Sequence, residues 1–380
     1  MGLIEGRKSN MKKVLVTGGA GFIGSHLVDR LVKDGKDVVV LDNFDPQVHQ
    51  GKKPDYLNKN AHYIEGDVRN DKALKKALAD VNNIVHFAAK VGVGQSMYEI
   101  KNYVDANTLG TASLWEYIIN NKLNINKFIV ASSMSIYGEG AYKCDKCGVQ
   151  SPYLRSEEAL KAKKWEPLCP DCASQLAPLP TGEDKKLLST SVYAITKKDQ
   201  EELSLNIGIS YKVPTVALRF FNVYGPRQSL SNPYTGACAI FSSRVKNDNA
   251  PLIYEDGLQT RDFIDIRDLV EACLLAMNSE KANYKFFNVG TGRAVTIKEV
   301  AETLINLYDK KITPEITNRY RVGDIRHCYA DIGKIKEIGF TPKIGLEEGL
   351  KNLVEWGKTE KAVDKIKEAN LELEKRNLTL

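Results

Sequence analysis

No stretch of the 380-residue sequence is apolar over the length of a membrane span, and no signal peptide is recognisable. Basic runs are also missing, because the net charge of +6 is spread along the chain. Internal repeats and low-complexity segments are absent. These absences predict a cytoplasmic protein without membrane or nucleic-acid partners, and an apolar content of 43% supports a sizeable core.

The first ten residues are expected to lie outside the fold. Ile4-Glu-Gly-Arg7 looks like an engineered protease-cleavage site, and Met11 makes a natural start. We therefore set residues 1–10 apart and begin the fold at residue 11.

A glycine-rich turn near the amino terminus organises the rest of the sequence. Residues 14–16 predict a short buried strand, Gly18, Gly21 and Gly24 follow, and residues 25–33 have the apolar spacing of a helix. Gly18 would allow a tight turn, Gly21 a close approach of backbone to a pyrophosphate, and Gly24 a helix packed close to the sheet. This arrangement is typical of a dinucleotide site, although the glycine spacing differs from the commoner Gly-x-Gly-x-x-Gly.

An acidic residue supports the same interpretation. The second predicted strand, residues 37–41, ends in Asp42, about 20 residues after the glycines, where a carboxylate can bind the adenosine ribose diol. A carboxylate there would repel a 2′-phosphate, so we expect NAD rather than NADP.

Further short apolar strands alternate with helices. The third strand (62–65) runs into Asp67, the fourth (83–87) into Ala88-Ala89-Lys90, and the fifth (127–131) into Ser133. This alternation predicts a Rossmann-type, doubly wound parallel sheet whose ligands bind at the carboxyl ends of the strands. Asp67 is a candidate for binding the adenine amino group, or alternatively the N-cap of a helix at 71–79.

We divide the chain into four parts. Residues 11–215 are the predicted NAD-binding domain, with an insert at 140–180, and residues 216–355 are mainly a smaller α/β substrate-binding part. Residues 356–380 are a charged helical tail. The whole region from Leu346 to Asn377 predicts a charged amphipathic helix region, which we expect to be solvated on most of its surface.

Four of the seven cysteines form two Cys-x-x-Cys pairs, Cys144 with Cys147 and Cys169 with Cys172. Two such pairs match a zinc-ribbon-like Cys₄ site, and the polar, lysine-rich segment between them has too little apolar surface to fold alone. Four thiolates leave no open coordination position, so the zinc would be structural. Disulfides and free thiols are the alternatives.

Tyr193 and Lys197 lie one helical turn apart and would share a face. A lysine beside a tyrosine lowers the phenol pKa from about 10 by stabilising the phenolate, which makes the tyrosine a general base. Ser133, at the end of the fifth strand, would donate a hydrogen bond to the same substrate oxygen. Ser133, Tyr193 and Lys197 are therefore the predicted catalytic residues.

With these motifs the chain resembles the extended short-chain dehydrogenases/reductases, the branch that contains nucleotide-sugar epimerases, dehydratases and decarboxylases. The resemblance covers residues 11–355 apart from the insert. It rests on Thr17-Gly-Gly-Ala-Gly-Phe-Ile-Gly24, Asp42-Asn43, Gly66-Asp67-Val68, His86-Phe-Ala-Ala89, Ser132-Ser133, Tyr137-Gly138, Tyr193-x-x-x-Lys197, Arg219-Phe-Phe-Asn222-Val-Tyr-Gly-Pro226, Arg261-Asp-Phe263 and Arg321-Val-Gly-Asp324.

The resemblance implies roles for individual residues. The expected NAD contacts are Gly18, Gly21, Phe22, Ile23, Gly24, Asp42, Asn43, Asp67, Val68, Phe87, Ala88, Ala89, Lys90, Asn107, Tyr193 and Lys197. The expected contacts to a nucleotide-diphosphate sugar are Ser133, Met134, Ser135, Asn222, Tyr254, Arg261 and Arg321. Arg261 and Arg321 would clamp the diphosphate, Asn222 would contact the sugar phosphates, and Tyr254 would hold the nucleobase.

The reaction class follows from two positions. Where the resembling dehydratases and decarboxylases carry acidic residues, this chain has Met134 and Ser135, which cannot act as acids. That difference favours a 4-epimerase, which oxidises the sugar at C4 and reduces it again from the opposite face, with NAD retained.

The insert resembles a cysteine-bearing subgroup associated with 4-epimerisation of dTDP-L-rhamnose, which is the favoured substrate. The alternatives are UDP-glucose or UDP-glucuronate 4-epimerisation, a nucleotide-keto-sugar reductase, and a non-catalytic nucleotide sensor. By the same resemblance we expect a homodimer that pairs helices near 104–120 and 193–208.

Overall fold

The computed structural model describes residues 13–49, 51–321 and 323–379, so the predicted foreign segment 1–10 lies outside the described residues. The first part of the chain alternates strands with helices. Its strands are β1 (Lys13–Thr17), β2 (Asp37–Asp42), β3 (His62–Glu65), β4 (Asn83–His86) and β5 (Lys127–Ser133). Its helices are α1 (Phe22–Lys33), α2 (Pro46–His49), α3 (Asp71–Ala77), α4 (Val93–Ser96), α5 (Ile100–Tyr103) and α6 (Gly110–Asn120).

The cysteine-bearing insert forms a small antiparallel sheet with the order β7-β6-β8. Its strands are β6 (Ala141–Cys144), β7 (Gly148–Gln150) and β8 (Ala177–Leu179), and α7 (Glu157–Lys161) is its helix. Residues next to this sheet bind it to the rest of the protein, since the N–H of Gly140 donates to His327 O (2.8 Å) and that of Thr181 to Tyr329 O (2.7 Å).

The remaining chain contributes to both the main sheet and the smaller part. Its strands are β9 (Thr215–Phe220), β10 (Asn222–Tyr224), β11 (Leu252–Ile253), β12 (Thr260–Arg261), β13 (Phe263–Asp265), β14 (Lys285–Val289), β15 (Val295–Thr296), β16 (Glu315–Ile316) and β17 (His327–Cys328). Its helices are α8 (Val192–Ser210), α9 (Ala237–Lys246), α10 (Ile266–Asn278), α11 (Ile297–Leu307), α12 (Gly333–Lys336), α13 (Leu346–Thr359) and α14 (Ile366–Glu374).

The main sheet has seven strands in the order β14-β9-β5-β4-β1-β2-β3. Every pairing within it is parallel, so the predicted Rossmann-type, doubly wound α/β fold is confirmed. The strand order reverses at β1, which places a crevice between the carboxyl ends of β1 and β4. The sheet continues past residue 215 into β9 and β14, so the two predicted parts interleave along the sequence.

Alternate residues of the central strands pack into two apolar cores, one on each face of the sheet. Val14 and Val16 pack on the face covered by α1 and α10, while Leu15 packs on the face that carries α3 and α6. On the second face Trp115 stacks on Phe128, with ring centroids 4.3 Å apart. Both faces of the sheet are therefore covered by helices, as a buried parallel sheet requires.

A third core lies in the smaller part, between α9, α11 and α13. The residues of α13 that it buries are Leu346, Leu350, Leu353 and Val354. We expected residues 346–377 to be amphipathic and mostly solvated, and α13 is indeed amphipathic, but its apolar residues recur at helical spacing and form one face that is buried in this core. Among the described residues, no helix is long and apolar enough to cross a membrane.

The packing of α13 can be tested by a matched pair of leucine substitutions. Leu350→Ala should lower the free energy of unfolding by about 2–5 kcal/mol, because it leaves a cavity in the third core. Leu371→Ala in α14, where the side chain is 56% exposed, should change it by less than about 0.5 kcal/mol. Urea unfolding measures both, and equal losses would contradict this packing.

Candidate active site

A cleft of about 1480 Å³ opens at the carboxyl edge of the main sheet. Of the predicted cofactor and substrate residues, all except Asn107 line it. These are Gly18, Gly21, Phe22, Ile23, Gly24, Asp42, Asn43, Asp67, Val68, Phe87, Ala88, Ala89, Lys90, Ser133, Met134, Ser135, Tyr193, Lys197, Asn222, Tyr254, Arg261 and Arg321. The fold therefore gathers residues more than 300 positions apart around one cavity.

The glycine turn after β1 leaves space and donors for an anion. Gly18 has φ +69°, and a Cβ on Gly24 would lie 2.3 Å from Gly18 O, so both positions require glycine. A Cβ on Gly21 would meet protein only at 3.4 Å, which is ordinary contact, so no protein atom demands glycine there. Helix α1 begins at Phe22 without a side-chain cap, which leaves N–H groups at its first turn for a ligand.

Two acidic residues line the end of the cleft next to β2 and β3. Asp42 accepts the N–H groups of Ala20 (3.0 Å) and Phe44 (2.9 Å), so its carboxylate also fixes the glycine turn. Asp67 pairs with the Arg69 guanidinium (2.6–2.8 Å), which holds the Asp67 pKa below its usual value. Helix α3 is capped by Asn70 instead, so the alternative role of Asp67 as the N-cap was wrong.

Ser133, Tyr193 and Lys197 come from the end of β5 and the first turns of α8. Ser133 Oγ accepts the N–H (3.2 Å) and the hydroxyl (2.9 Å) of Ser135. The Tyr193 N–H donates to Ser96 Oγ (3.0 Å), and Ser191 caps α8 by accepting the Ala194 N–H (3.1 Å). These bonds fix the start of α8, so that both side chains reach the cleft.

The electrostatics of this group differ from the prediction. Burial raises the pKa of Tyr193, although the Ser133 hydroxyl beside it acts in the opposite direction. Burial also lowers the pKa of Lys197 to about 7, against the favourable field of Glu201. We expected Lys197 to lower the phenol pKa, but its Nζ donates to Gln200 Oε1 (2.7 Å), and desolvation dominates at both residues.

A buried chain of hydrogen bonds continues from Lys197 across the sheet. Gln200 Nε2 donates to Thr111 Oγ1 (2.8 Å), which lies 2.9 Å from His86 Nε2. His86 Nδ1 lies 2.7 Å from Thr17 Oγ1 at the end of β1. Burial lowers the His86 pKa to about 3, so the imidazole is neutral and can both donate and accept. This chain ties the position of Lys197 to the central strands, and the sequence pattern did not predict it.

Asn107 was predicted to contact the cofactor, but the structure places it behind the cleft wall. It is fully buried, accepts the Lys90 N–H (2.7 Å), and donates to Lys90 O (3.1 Å) and Thr196 Oγ1 (3.0 Å). The π-helical segment Val104–Leu109 carries this side chain. Asn107 therefore shapes the Lys90 loop without lining the cavity, which corrects the predicted direct contact.

The opposite end of the cleft carries the predicted nucleotide residues. Asn222 Oδ1 is buried and has no hydrogen-bond partner among the described residues. Arg261 donates to the carbonyls of Ile325 (2.7 Å) and Arg326 (2.9 Å), which orients its guanidinium. Arg321 pairs with Asp324 (2.8 Å) and lies over the Tyr254 ring at 4.8 Å. An orphaned acceptor and two oriented guanidinium groups suit a polar, anionic ligand.

The charged tail forms part of the cleft wall, which we did not predict. The side of α14 that lines the cavity consists of Ile366, Ala369, Asn370 and Leu373. Tyr254 Oη donates to Asn370 Oδ1 (2.9 Å), and Arg376 lies over the Tyr98 ring at 4.4 Å. The spacing of these four residues follows one helical face, and that pattern was the available signal.

The four insert cysteines lie together in the structure. Their Sγ atoms are all within 4.8 Å of one another, and the Cys144 and Cys172 sulfurs are 3.6 Å apart. None of the four forms a disulfide. A compact set of four thiol ligands suits tetrahedral coordination by a metal such as zinc.

The fold and the cleft define an extended short-chain dehydrogenase/reductase. The sequence matches the NAD dependent epimerase/dehydratase family over residues 14–162 and 172–290, and the gap between these ranges falls inside the insert. The chain belongs to this family of enzymes, and several of its relatives are epimerases, a type of isomerase.

One relative is a dTDP-L-rhamnose 4-epimerase of Burkholderia thailandensis, 34% identical over 91% of this chain and 94% of the relative. Among solved structures, the Thermotoga maritima UDP-glucose 4-epimerase with UDP-glucose is 31% identical, with a TM-score of 0.75 over 90% of this chain and 98% of that one. The Thermus thermophilus UDP-glucose 4-epimerase in complex with NAD is 28% identical, with a TM-score of 0.73 over 92% and 100%.

Removing the buried amine should stabilise the protein at neutral pH. The Lys197 pKa is near 7 in the folded protein, whereas an unfolded lysine titrates near 10.4. The unfolded state therefore binds the additional proton first as the pH falls from about 10.5 to 7, and the parent loses stability over that range. Lys197→Met should abolish this loss, so its melting temperature should exceed that of the parent near pH 7 and approach it near pH 10.5.

Thermal unfolding between pH 6 and 10.5 measures the difference. Lys198→Met is the matched control, because Lys198 lies next along α8 with a partly exposed side chain that pairs with Glu202. A Lys197→Met protein that is less stable than the parent by the same amount at every pH would contradict the assigned burial cost.

Proposed function

We propose that the protein is an NAD-dependent nucleotide-sugar 4-epimerase, with dTDP-L-rhamnose as the favoured substrate. The observation that carries the reaction class is the wall beside Ser133 and Tyr193, where Met134 and Ser135 line the cleft without a carboxylate. Removal of water or carbon dioxide from a sugar needs an acid or base at such a position, whereas 4-epimerisation needs only proton transfer at the C4 oxygen.

The residues at the carboxyl edge of the sheet fit a dinucleotide. The first turn of α1 offers free N–H groups to a pyrophosphate, and the open space at Gly21 admits it. Asp42 and Asp67 suit the adenosine end, while Lys197 and Tyr193 lie at the other end of the same wall. These residues would hold NAD, which would supply the hydride-transfer chemistry for oxidation and re-reduction at sugar C4.

The chain's own residues would move the proton and hold the substrate. Tyr193 takes the proton from the C4 hydroxyl and later returns it, and Ser133 donates a hydrogen bond to the same oxygen. Lys197, one turn along α8, would stabilise the phenolate in its protonated form, while burial opposes charge at both residues. Asn222, Arg261 and Arg321 hold the phosphates at the far end, which leaves the 4-keto sugar free to rotate within the cleft between the two half-reactions.

The substrate proposal rests on the Burkholderia relative and on the cysteine insert. UDP-glucose is the second candidate, because the Thermotoga structure contains it and matches 98% of its own length to this chain. UDP-glucuronate is a third. The three differ in the base and in the sugar, and all present a pyrophosphate to Arg261 and Arg321.

We also propose a homodimer and a cytoplasmic location. Apolar side chains are exposed around the helices expected to pair: Ile100, Val104 and Leu109 near α6, and Ile195 on α8. Such a cluster is typical of a subunit contact. None of the seven cysteines, all of which lie in the described part of the chain, forms a disulfide, and this suits a reducing compartment.

The proposed reaction is tested by product NMR. The purified protein receives dTDP-L-rhamnose, UDP-glucose or UDP-glucuronate with catalytic NAD and no reductant. We expect one of these substrates to give its C4 epimer at unchanged mass. Tyr193→Phe should slow turnover by about 10²–10⁴-fold, because it removes the proton acceptor. Tyr211→Phe, at an exposed position beyond α8, is the control and should leave turnover unchanged.

Other products would contradict the proposal. Loss of water or carbon dioxide would show that groups other than Met134 and Ser135 supply the acid. Stoichiometric consumption of NADH would indicate a reductase. Full activity of Tyr193→Phe would remove this residue from the proton-transfer step.

We further propose that the four-cysteine cluster binds one zinc ion in a structural role. The cysteines lie outside the cleft, and four thiolates would fill a tetrahedral shell. Protein purified without a chelating tag should contain zinc by elemental analysis, and Cys147→Ser should lose it. Cys273→Ala, at a cysteine buried in the core next to the sheet, should retain it. A metal content that is the same in both variants would contradict the site.

A further inference from the structure

The loop between the two cysteine pairs packs onto the segment that carries the cleft arginines. Leu160 and Trp165 of the insert form a buried apolar cluster with Tyr320, the residue next to Arg321. None of the described residues between 136 and 189 lines the cleft itself. The insert therefore does not cover the cavity, and any influence on the ligand must pass through its contacts with the segment after Tyr320.

A buried ion network forms the second contact. Arg326 is fully buried and donates to Glu166 of the insert (2.6 and 2.8 Å), to Asp256 (2.7 and 2.9 Å) and to Glu255 (2.9 Å). Its N–H donates to Glu139 at the base of the insert (2.8 Å). These contacts fix the orientation of the Arg326 guanidinium, and the bond from its N–H to Glu139 fixes the backbone at this position.

Arg155, in the same loop between the two cysteine pairs, makes the third contact. Its guanidinium donates to Asp324 O (3.0 Å) and Trp165 O (3.0 Å) and pairs with Glu255 (2.9 Å). Asp324 in turn pairs with Arg321. Arg155 therefore fixes the backbone of Asp324, whose side chain pairs with the cleft residue Arg321.

The second cleft arginine depends on the same backbone. Arg261 donates to the carbonyls of Ile325 and Arg326. We name residues 323–327 the anchor segment. Its carbonyls orient Arg261, its Asp324 side chain orients Arg321, and its outer side is held by Arg155 and Glu166 of the insert.

The cysteine pairs close the loop that supplies these two side chains. Arg155 and Glu166 both lie between Cys147 and Cys169, in a loop whose regular structure is limited to β7 and the short helix α7. Bringing the two ends of such a loop together costs conformational entropy, and a metal held by both pairs would offset that cost. A bound metal would thus favour the conformation in which Arg155 and Glu166 reach the anchor segment.

We infer that the cysteine insert is a positioning element for nucleotide-diphosphate binding. Arg155 and Glu166 hold the anchor segment, the anchor segment orients Arg261 and Arg321, and metal in the cluster supports this arrangement. The inference rests on the proposed function, because it takes a nucleotide diphosphate as the ligand of the two arginines. It makes Arg155 and Glu166 positioning residues that set substrate affinity and leave the proton transfer at Tyr193 unchanged.

The test measures equilibrium binding and turnover in the same preparations. UDP and dTDP are titrated calorimetrically into the purified, metal-loaded protein and into Glu166→Gln, Arg155→Met and Arg155→Lys. We expect the Kd for the nucleotide and the KM for the sugar nucleotide to rise about tenfold in Glu166→Gln and Arg155→Met, with kcat within about twofold. Arg155→Lys retains the charge and should recover part of the affinity.

Glu157→Gln is the matched control, because Glu157 lies in the same loop and pairs only with exposed Lys161. Its nucleotide Kd should equal that of the parent. Thermal unfolding checks each variant, and Glu166→Gln keeps the test decisive if the buried Arg155→Met fails to fold, because the Glu166 side chain is 32% exposed. Chelation should weaken nucleotide binding, and added zinc alone should restore it.

The outcomes separate this inference from the proposed function. Unchanged nucleotide affinity in both Glu166→Gln and Arg155→Met would overturn the inference alone, as would a fall in kcat at constant KM. Affinity that is insensitive to chelation would overturn the part played by the metal. A parent protein that binds neither UDP nor dTDP would overturn the inference together with the proposed function.

Discussion

Parallel pairing places all seven carboxyl ends of the main sheet at one edge, and the candidate active site depends on that constraint. β2 and β5 end in residues that line the cleft, Asp42 and Ser133, and the residues directly after β1 and β4, Gly18 and Phe87, line it as well. The glycine turn then determines how closely α1 approaches this edge, since Gly18 and Gly24 leave no room for side chains. A shift in the register of one strand would move its terminal residues out of the cleft, so site geometry and sheet geometry cannot vary independently.

Lys197, which we propose to act in catalysis, illustrates how function can oppose stability. A primary amine at a fully buried position costs free energy of folding. The amine of Lys197 is nevertheless held there by a chain of hydrogen bonds through Gln200, Thr111 and His86. Each member of this chain has a partner, which is the condition under which a buried polar network is tolerated. The network also makes the orientation of Lys197 depend on β1 and β4, the two strands that flank the crevice.

Local patterns predicted the motifs well but not the contacts between distant segments. The glycine turn, the Tyr-x-x-x-Lys spacing and the paired cysteines each depend on residues close in sequence, and the structure brings each set together. Gln200 and Asn107 act through partners far along the chain, and Arg326 is buried among acidic residues from three separate segments. Local sequence periodicity does not predict such contacts. The prediction for the tail failed for a related reason. Its charge was visible in the sequence, whereas the role of its cleft-facing side depends on the contact with Tyr254, which is distant in sequence.

The position of α14 has a consequence for the order in which the protein is built. Asn370 and Leu373 are synthesised after almost every other residue of the cleft, including the glycine turn and α8. Domains generally fold as units during synthesis. The far wall of the cleft can therefore be completed only after α14 has been synthesised and has docked beside Tyr254.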